Sequence, residues 1–325
     1  MFLEIERVTK VSNNQSTKDA LGEKSGFQIW WRMLRPHTLT ASFIPVFVGT
    51  VIASINTSVH YGLFFAMLIA SILIQAATNM FNEYYDFVKG LDTEDSVGIG
   101  GTIVRDGISP QTVRNLAFIF YGIAIILGFY ICLETTFWIA VIGLVSMLFG
   151  YLYTGGPYPI AYSPFGELFA GFFMGTVIIG ISFYIQTNAI TLDSILLSIP
   201  IAILIGAILL ANNIRDLEGD QINGRKTLAI LVGRNNAIRV LAGFFIAAYA
   251  LTVLFIIMGI MPIWGLLTFL SIKKAYNAVR VFKANHTPLE MMPAMKYTAQ
   301  TNTMFGFLFG IAFLLNHLYA IQSVL

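Results

Sequence analysis

Of the 325 residues, 57% are hydrophobic and 11% charged, with a formal net charge of +2. A soluble domain carries about 25% charged residues, so the composition excludes one, and a mean hydropathy of +0.75 excludes a disordered or fibrous chain. The single cysteine, Cys132, and four scattered histidines give no disulfide framework and no thiolate or imidazole metal cluster, and the near-neutral charge gives no nucleic-acid surface.

About 20 apolar residues cross a ~30 Å hydrocarbon core. The low-charge stretches predict an all-α polytopic membrane bundle with nine spans, near 39–58, 61–83, 114–132, 136–154, 165–187, 195–217, 236–258, 262–282 and 297–320. Residues 1–34 form a polar tail with no cleavable signal, and 35–325 form one transmembrane domain whose long charged loops are 83–114 and 215–239. With the N-terminus in the cytoplasm, all 19 Lys and Arg fall on the inner loops or bordering helix ends. The outer loops carry only His60, Glu134 and Asp193. This segregation predicts an N-in, C-out protein of the cell membrane.

The second and sixth spans both end in Asn-x-x-x-Asp, as Asn82…Asp86 and Asn212…Asp216, offset by 130 residues. A glycine, a threonine and a closing arginine follow each (Gly101-Thr102…Arg114 and Gly224…Thr227…Arg239), an echo of the kind left by repeated halves. Asn82 and Asp86 share a helix face, with Lys89 one turn on; Gly90 is a helix C-cap after which Asp92 folds back toward Asp86. Asn212, Asp216 and Asp220 also step along one face, with Arg215, Arg225 and Lys226 beside them. Magnesium is commonly held by one or two carboxylates plus substrate phosphates. Acids for Mg²⁺ beside Arg and Lys for phosphate therefore suit a diphosphate whose carbon–oxygen bond is to break. The metal set is Asp86, Asp92, Asp216 and Asp220. The binding set is Asn82, Lys89, Asn212, Arg215, Arg225 and Lys226. Asp and Asn also serve as plain helix caps and acidic loops as solvated turns, but two matched clusters on one membrane face favour a site. The Gly98-x-Gly100-Gly101 run follows no strand and reads as a flexible turn.

The turn from Tyr151 to Glu167 breaks at Gly155-Gly156-Pro157 and carries Tyr153, Tyr158 and Tyr162. They form an interfacial aromatic belt or a ring that shelters a cation by its π faces, with Tyr153 the catalytic candidate beside Asp86, Asp216 and Asp220. Together these parts suit an allylic diphosphate whose apolar tail lies in the bilayer and whose cation must be kept from water.

These motifs resemble the UbiA superfamily of intramembrane prenyltransferases along nearly the whole chain from Arg35. Glu83 stands where that family has a second-position Asp, and Gly90 occupies its last Asp position, with Asp92 two residues on. This variant is similar to the menaquinone branch, as are Arg35-Pro36…Thr38-Leu39-Thr40-Ala41-Ser42 and Tyr153…Pro157…Ala161-Tyr162…Gly166-Glu167. Asp216-x-Glu218-Gly219-Asp220…Gly224-Arg225-Lys226-Thr227 matches the second motif. The resemblance implies transfer of a polyprenyl group from polyprenyl diphosphate to 1,4-dihydroxy-2-naphthoate, with CO₂ lost, giving demethylmenaquinol. It implies Mg²⁺ and diphosphate at Asn82, Asp86, Asp216 and Asp220, and Arg35 or Arg105 at the acceptor carboxylate. The alternatives are 4-hydroxybenzoate or another aromatic acceptor, a secondary transporter, and an assembly protein without chemistry. Transport coupling usually needs acids deep in the spans, and the third to ninth spans have none in their middles.

Overall fold

The computed structural model describes residues 26–92 and 101–322, with no strand among them. In chain order the helices are α1 (Phe27–Met33), α2 (Pro36–Ser54), α3 (Tyr61–Val88), α4 (Thr102–Asp106), α5 (Pro110–Glu134), α6 (Trp138–Leu152) and α7 (Gly166–Thr187). There follow α8 (Leu192–Arg215), α9 (Leu217–Ile222), α10 (Leu228–Val232), α11 (Arg234–Ile257), α12 (Ile272–Ala284) and α13 (Met292–Gln322). A 3₁₀ segment, Ile263–Ser271, runs into α12. The tail through Ser25 and the glycines Gly98 and Gly100 lie outside the described residues.

Each of the nine predicted spans coincides with helical structure, but among the described residues only α3, α5, α7, α8, α11 and α13 are long and apolar enough to cross a membrane. The pair α1–α2, bent by 67°, makes a seventh if taken as one span. Two expected spans fall short for physical reasons. Helix α6 has 15 residues, a rise of only ~22 Å. The apolar half of the eighth is the 3₁₀ segment, and its α-helical half carries Lys273, Lys274, Arg280 and Lys283.

Local chemistry sets the helix ends. Pro110 opens α5 behind Ser109, whose hydroxyl accepts from the Thr112 N–H at 3.1 Å. Thr191 and Ser194 form a reciprocal capping box at α8. Small residues then let helices close. A Cβ on Gly171 or Gly175 of α7 would sit 2.6 Å from the Ala202 carbonyl oxygen or 2.5 Å from its Cα on α8. Gly306 and Gly310 of α13 likewise admit Ile44 and Phe47 of α2. Residues 171–177 of α7 are wound as a π-helix beside this contact.

The main core joins α2, α7, α8 and α11–α13 around Ile44, Ile201, Leu204, Phe305 and Phe309. A second core joins α1, α3, α4, α5 and α6 around Met33, Phe81, Ile103 and Val113. The motif-bearing ends of α3 and α8 bring residues of both halves to one cavity.

Candidate active site

The end of α3 is built as its sequence dictates. Gly90 takes φ +71°, and the Leu91 and Asp92 N–H groups donate back to the Asp86 carbonyl at 2.8 and 3.4 Å. Asp92 thus returns beside Asp86. On α8 the backbone bonds continue from Asp216 N–H to Asn212 O (3.0 Å) and from Asp220 N–H to Asp216 O (2.8 Å). The helix break at Asp216 therefore keeps the three polar residues in step.

Arg225 joins the two motifs. Its guanidinium donates to Asp86 Oδ1 at 2.7 Å and to Asp220 Oδ1 at 3.1 Å, across 139 residues of chain in the first case. Arg215 grips its neighbour Asp216 through Nε at 2.6 Å and through Nη2. Burial, with Asp86 as a negative neighbour, pushes the Asp92 carboxyl up to about 6, against the opposing pull of Arg35. Asp220 is also pushed up to about 6, by burial first; Arg225 works the other way, while Asp216 and Asp86 add to the rise.

These residues line a polar cavity of about 410 Å³ that holds Asn82, Asp86, Asp92, Tyr153, Asn212, Arg215, Asp216, Asp220 and Arg225 together. Thr154, Asn213, Arg234 and His286, which the sequence did not single out, share its wall with Glu218 of the second motif. A second cavity of about 340 Å³ lies among α2, α3, α5, α6, α7 and α8, and its wall is overwhelmingly apolar. The two share Arg35, Thr38, Asn82, Tyr153, Leu209 and Asn212. A charged head and an apolar tail can therefore be housed end to end.

Arg35 stands at this neck in a left-handed conformation, φ +51°, a strain of about 1–3 kcal/mol for a non-glycine residue. A clamp the sequence did not reveal supports it. Asn79 donates to both Leu34 O and Thr38 Oγ1 at 3.0 Å, and Thr38 donates to Arg35 O at 2.8 Å from its N–H and 2.9 Å from its hydroxyl.

Other expected residues are placed differently. Lys89 donates to the Thr154 carbonyl at 2.7 Å and lies over Tyr162, outside the cavity wall. The Lys226 side chain is exposed; its backbone N–H ties the loop to Tyr162 O at 3.1 Å. The tyrosine ring is incomplete. Tyr153 lines both cavities, Tyr162 lies 5.3 Å from Arg225, and Tyr158 is 93% exposed beyond the Gly156 turn. Asn82 accepts from Thr154 Oγ1 at 2.8 Å, and buried Glu167 accepts from Asn213 at 2.8 Å.

Residues 42–288 match the model of the UbiA prenyltransferase family. The chain belongs to this family. It is 55% identical to the 1,4-dihydroxy-2-naphthoate octaprenyltransferase of Bacillus subtilis strain 168, covering 94% of this chain and 98% of the relative. A UbiA homolog from Aeropyrum pernix K1 has the same fold, with a TM-score of 0.66 at 14% identity over 85% of this chain and 97% of that one. A UbiA homolog from Archaeoglobus fulgidus, solved with DMAPP and Mg²⁺, gives a TM-score of 0.57 at 16% identity over 86% and 97%. For this UbiA member the transporter and assembly readings lapse, because membership and the likeness to an enzyme extend over most of the chain.

Among the described residues no three acidic, histidine or cysteine side chains gather closely enough to hold a metal alone. The donor set nevertheless suits Mg²⁺ shared with a phosphate ligand. The polar cavity carries five carboxylates, Asp86, Asp92, Asp216, Glu218 and Asp220, against four arginines, Arg35, Arg215, Arg225 and Arg234. Carboxylates of this kind, joined by substrate phosphates, are the donors Mg²⁺ commonly takes.

Proposed function

We propose that this protein transfers a polyprenyl group from an allylic polyprenyl diphosphate to 1,4-dihydroxy-2-naphthoate. The observation that carries the reading is Arg225 spanning Asp86 and Asp220 beside the neck of an apolar chamber. The 55% identity to the Bacillus subtilis relative supplies the acceptor.

Asp86, Asp92, Asp216 and Asp220 are the residues that would hold Mg²⁺, which supplies Lewis-acid stabilisation of the departing diphosphate. Asn82 and Asn212 orient the phosphate oxygens. Arg225 and Arg215 turn from their carboxylates toward the diphosphate and stabilise charge as the carbon–oxygen bond breaks. Tyr153 faces the allylic carbon with its ring, and the apolar wall keeps water from the cation. The naphthoate ring carbon bearing the carboxylate forms the new carbon–carbon bond. The carboxylate leaves as CO₂, and its electron pair restores the aromatic ring. The products are demethylmenaquinol, CO₂ and diphosphate. The site faces the cytoplasm of the cell membrane, as the one-sided Lys and Arg distribution indicates.

Purified protein supplied with carboxyl-labelled naphthoate, prenyl diphosphates of graded length and Mg²⁺ should release labelled CO₂ in step with prenylated product, and EDTA should abolish both. A product that retains the label, or turnover of 4-hydroxybenzoate in preference, would overturn the acceptor assignment.

A further inference from the structure

Glu83 sits in the first acidic motif but does not line the polar cavity. It is fully buried, and its Oε1 accepts from the Thr102 hydroxyl and, at 3.1 Å, from the Ile103 N–H. Those donors open α4. Among the described residues Oε2 has no hydrogen-bond partner. A buried carboxylate is costly unless it is well bonded, so its bonding geometry points to what it holds.

Helix α4 carries a charged end. Arg105 lies over Gly101, where a Cβ would come 2.9 Å from its Nε, and it interacts electrostatically with Asp92, Asp106 and Glu83. Asp106 is ion-paired with Arg32 of α1. Glu83 therefore grips the first turn of the helix that carries Arg105. Aspartate at this position would be shorter by one methylene, ~1.5 Å of reach, and would not bridge to Thr102 and Ile103.

We propose that Glu83 is a positioning residue, a latch that ties the first turn of α4 to the end of α3, the stretch that presents Asn82 and Asp86 to the polar cavity. The proposal deepens the prenyl-transfer reading and rests on it for its kinetic consequence, while the latch itself can be read without turnover.

The test uses the full-length protein in nanodiscs as Glu83→Ala, Glu83→Gln and Glu83→Asp. Hydrogen exchange is followed in the peptide containing Ile103, and KM and kcat are measured for the prenyl diphosphate. Ala and Asp should speed exchange at Ile103 at least about tenfold and raise KM about tenfold, with kcat within about threefold. Gln keeps the length and the Oε1 acceptor, and should stay within about threefold of the parent in both readouts. Native exchange in Glu83→Ala would overturn the latch. So would an Asp variant that outperforms Gln, since charge and not reach would then matter. If the Ala variant does not accumulate, the order of Gln over Asp decides alone, and equal behaviour of the two counts against the proposal. Altered exchange without any prenyl transfer by the parent would sink the enzymatic reading and leave the latch standing.

Discussion

Asp86 and Asp216 differ from simple helix caps in a way that substitution can expose. Asp86 is bound by Arg225 and Asp216 by Arg215, and both line the polar cavity. Asn caps a helix about as well as Asp, so a capping role predicts that Asp86→Asn and Asp216→Asn retain activity. An electrostatic role predicts a fall in kcat of at least ~10²-fold for each. Membrane abundance by blot should stay near normal for both, and near-parent turnover would remove these acids from the mechanism. Arg225 carries a separate expectation. Lysine presents a point charge where arginine presents a planar fork, so Arg225→Lys cannot serve Asp86 and Asp220 together. Its KM for prenyl diphosphate should rise about tenfold, measured beside the parent at saturating Mg²⁺; an unchanged KM would make the bridge incidental.

The helices test packing more than chemistry. A methyl group at Gly175 must displace backbone of Ala202 at 2.5 Å, so Gly175→Ala should cost about 1–3 kcal/mol by overpacking. Gly180, on the same helix, meets nothing within 4 Å, and alanine there should leave the denaturation midpoint in detergent near the parent value. Equal midpoints for both variants would contradict the close α7–α8 contact. What the sequence disclosed follows the same division. Asn82, Asp86 and Asp92 were legible because helix periodicity and the Gly90 cap are local. So were Asn212, Asp216 and Asp220. The Arg225 bridge, the Asn79 clamp and the inward turn of Glu83 were not, since each depends on a partner far along the chain. Hydropathy also cannot tell an α-helix from the π-helical stretch of α7 or the 3₁₀ segment before α12, and it predicts nine spans where, among the described residues, six or seven helices meet the length and composition of a crossing.

For the molecule as a whole, the distribution of Lys and Arg makes a topological prediction. Reporter fusions after residues 160, 226 and 288 should read cytoplasmic, and fusions near 59, 134 and 190 external. An external reading at 226 would put the second acidic motif on the opposite side of the membrane from the cytoplasmic face proposed for the site. Helix α6 is short, and the second half of the 3₁₀–α12 element is basic. The lysine stems of α12 can reach the interface while their carbons stay in lipid, so that element need not be long to sit in the bilayer.

The neck formed by Arg35, Asn82, Tyr153 and Asn212 has one more consequence. It encloses a boundary between an oily phase and an ionic one inside a single protein, a few side chains thick. A bond that breaks at this boundary sends its two fragments toward different solvents. The anion finds arginines and outward access, while the carbon cation stays with hydrocarbon and aromatic walls. Return of the fragments to each other then requires one of them to cross into the phase that suits it worse, so the partition itself favours capture by a third reactant waiting at the boundary.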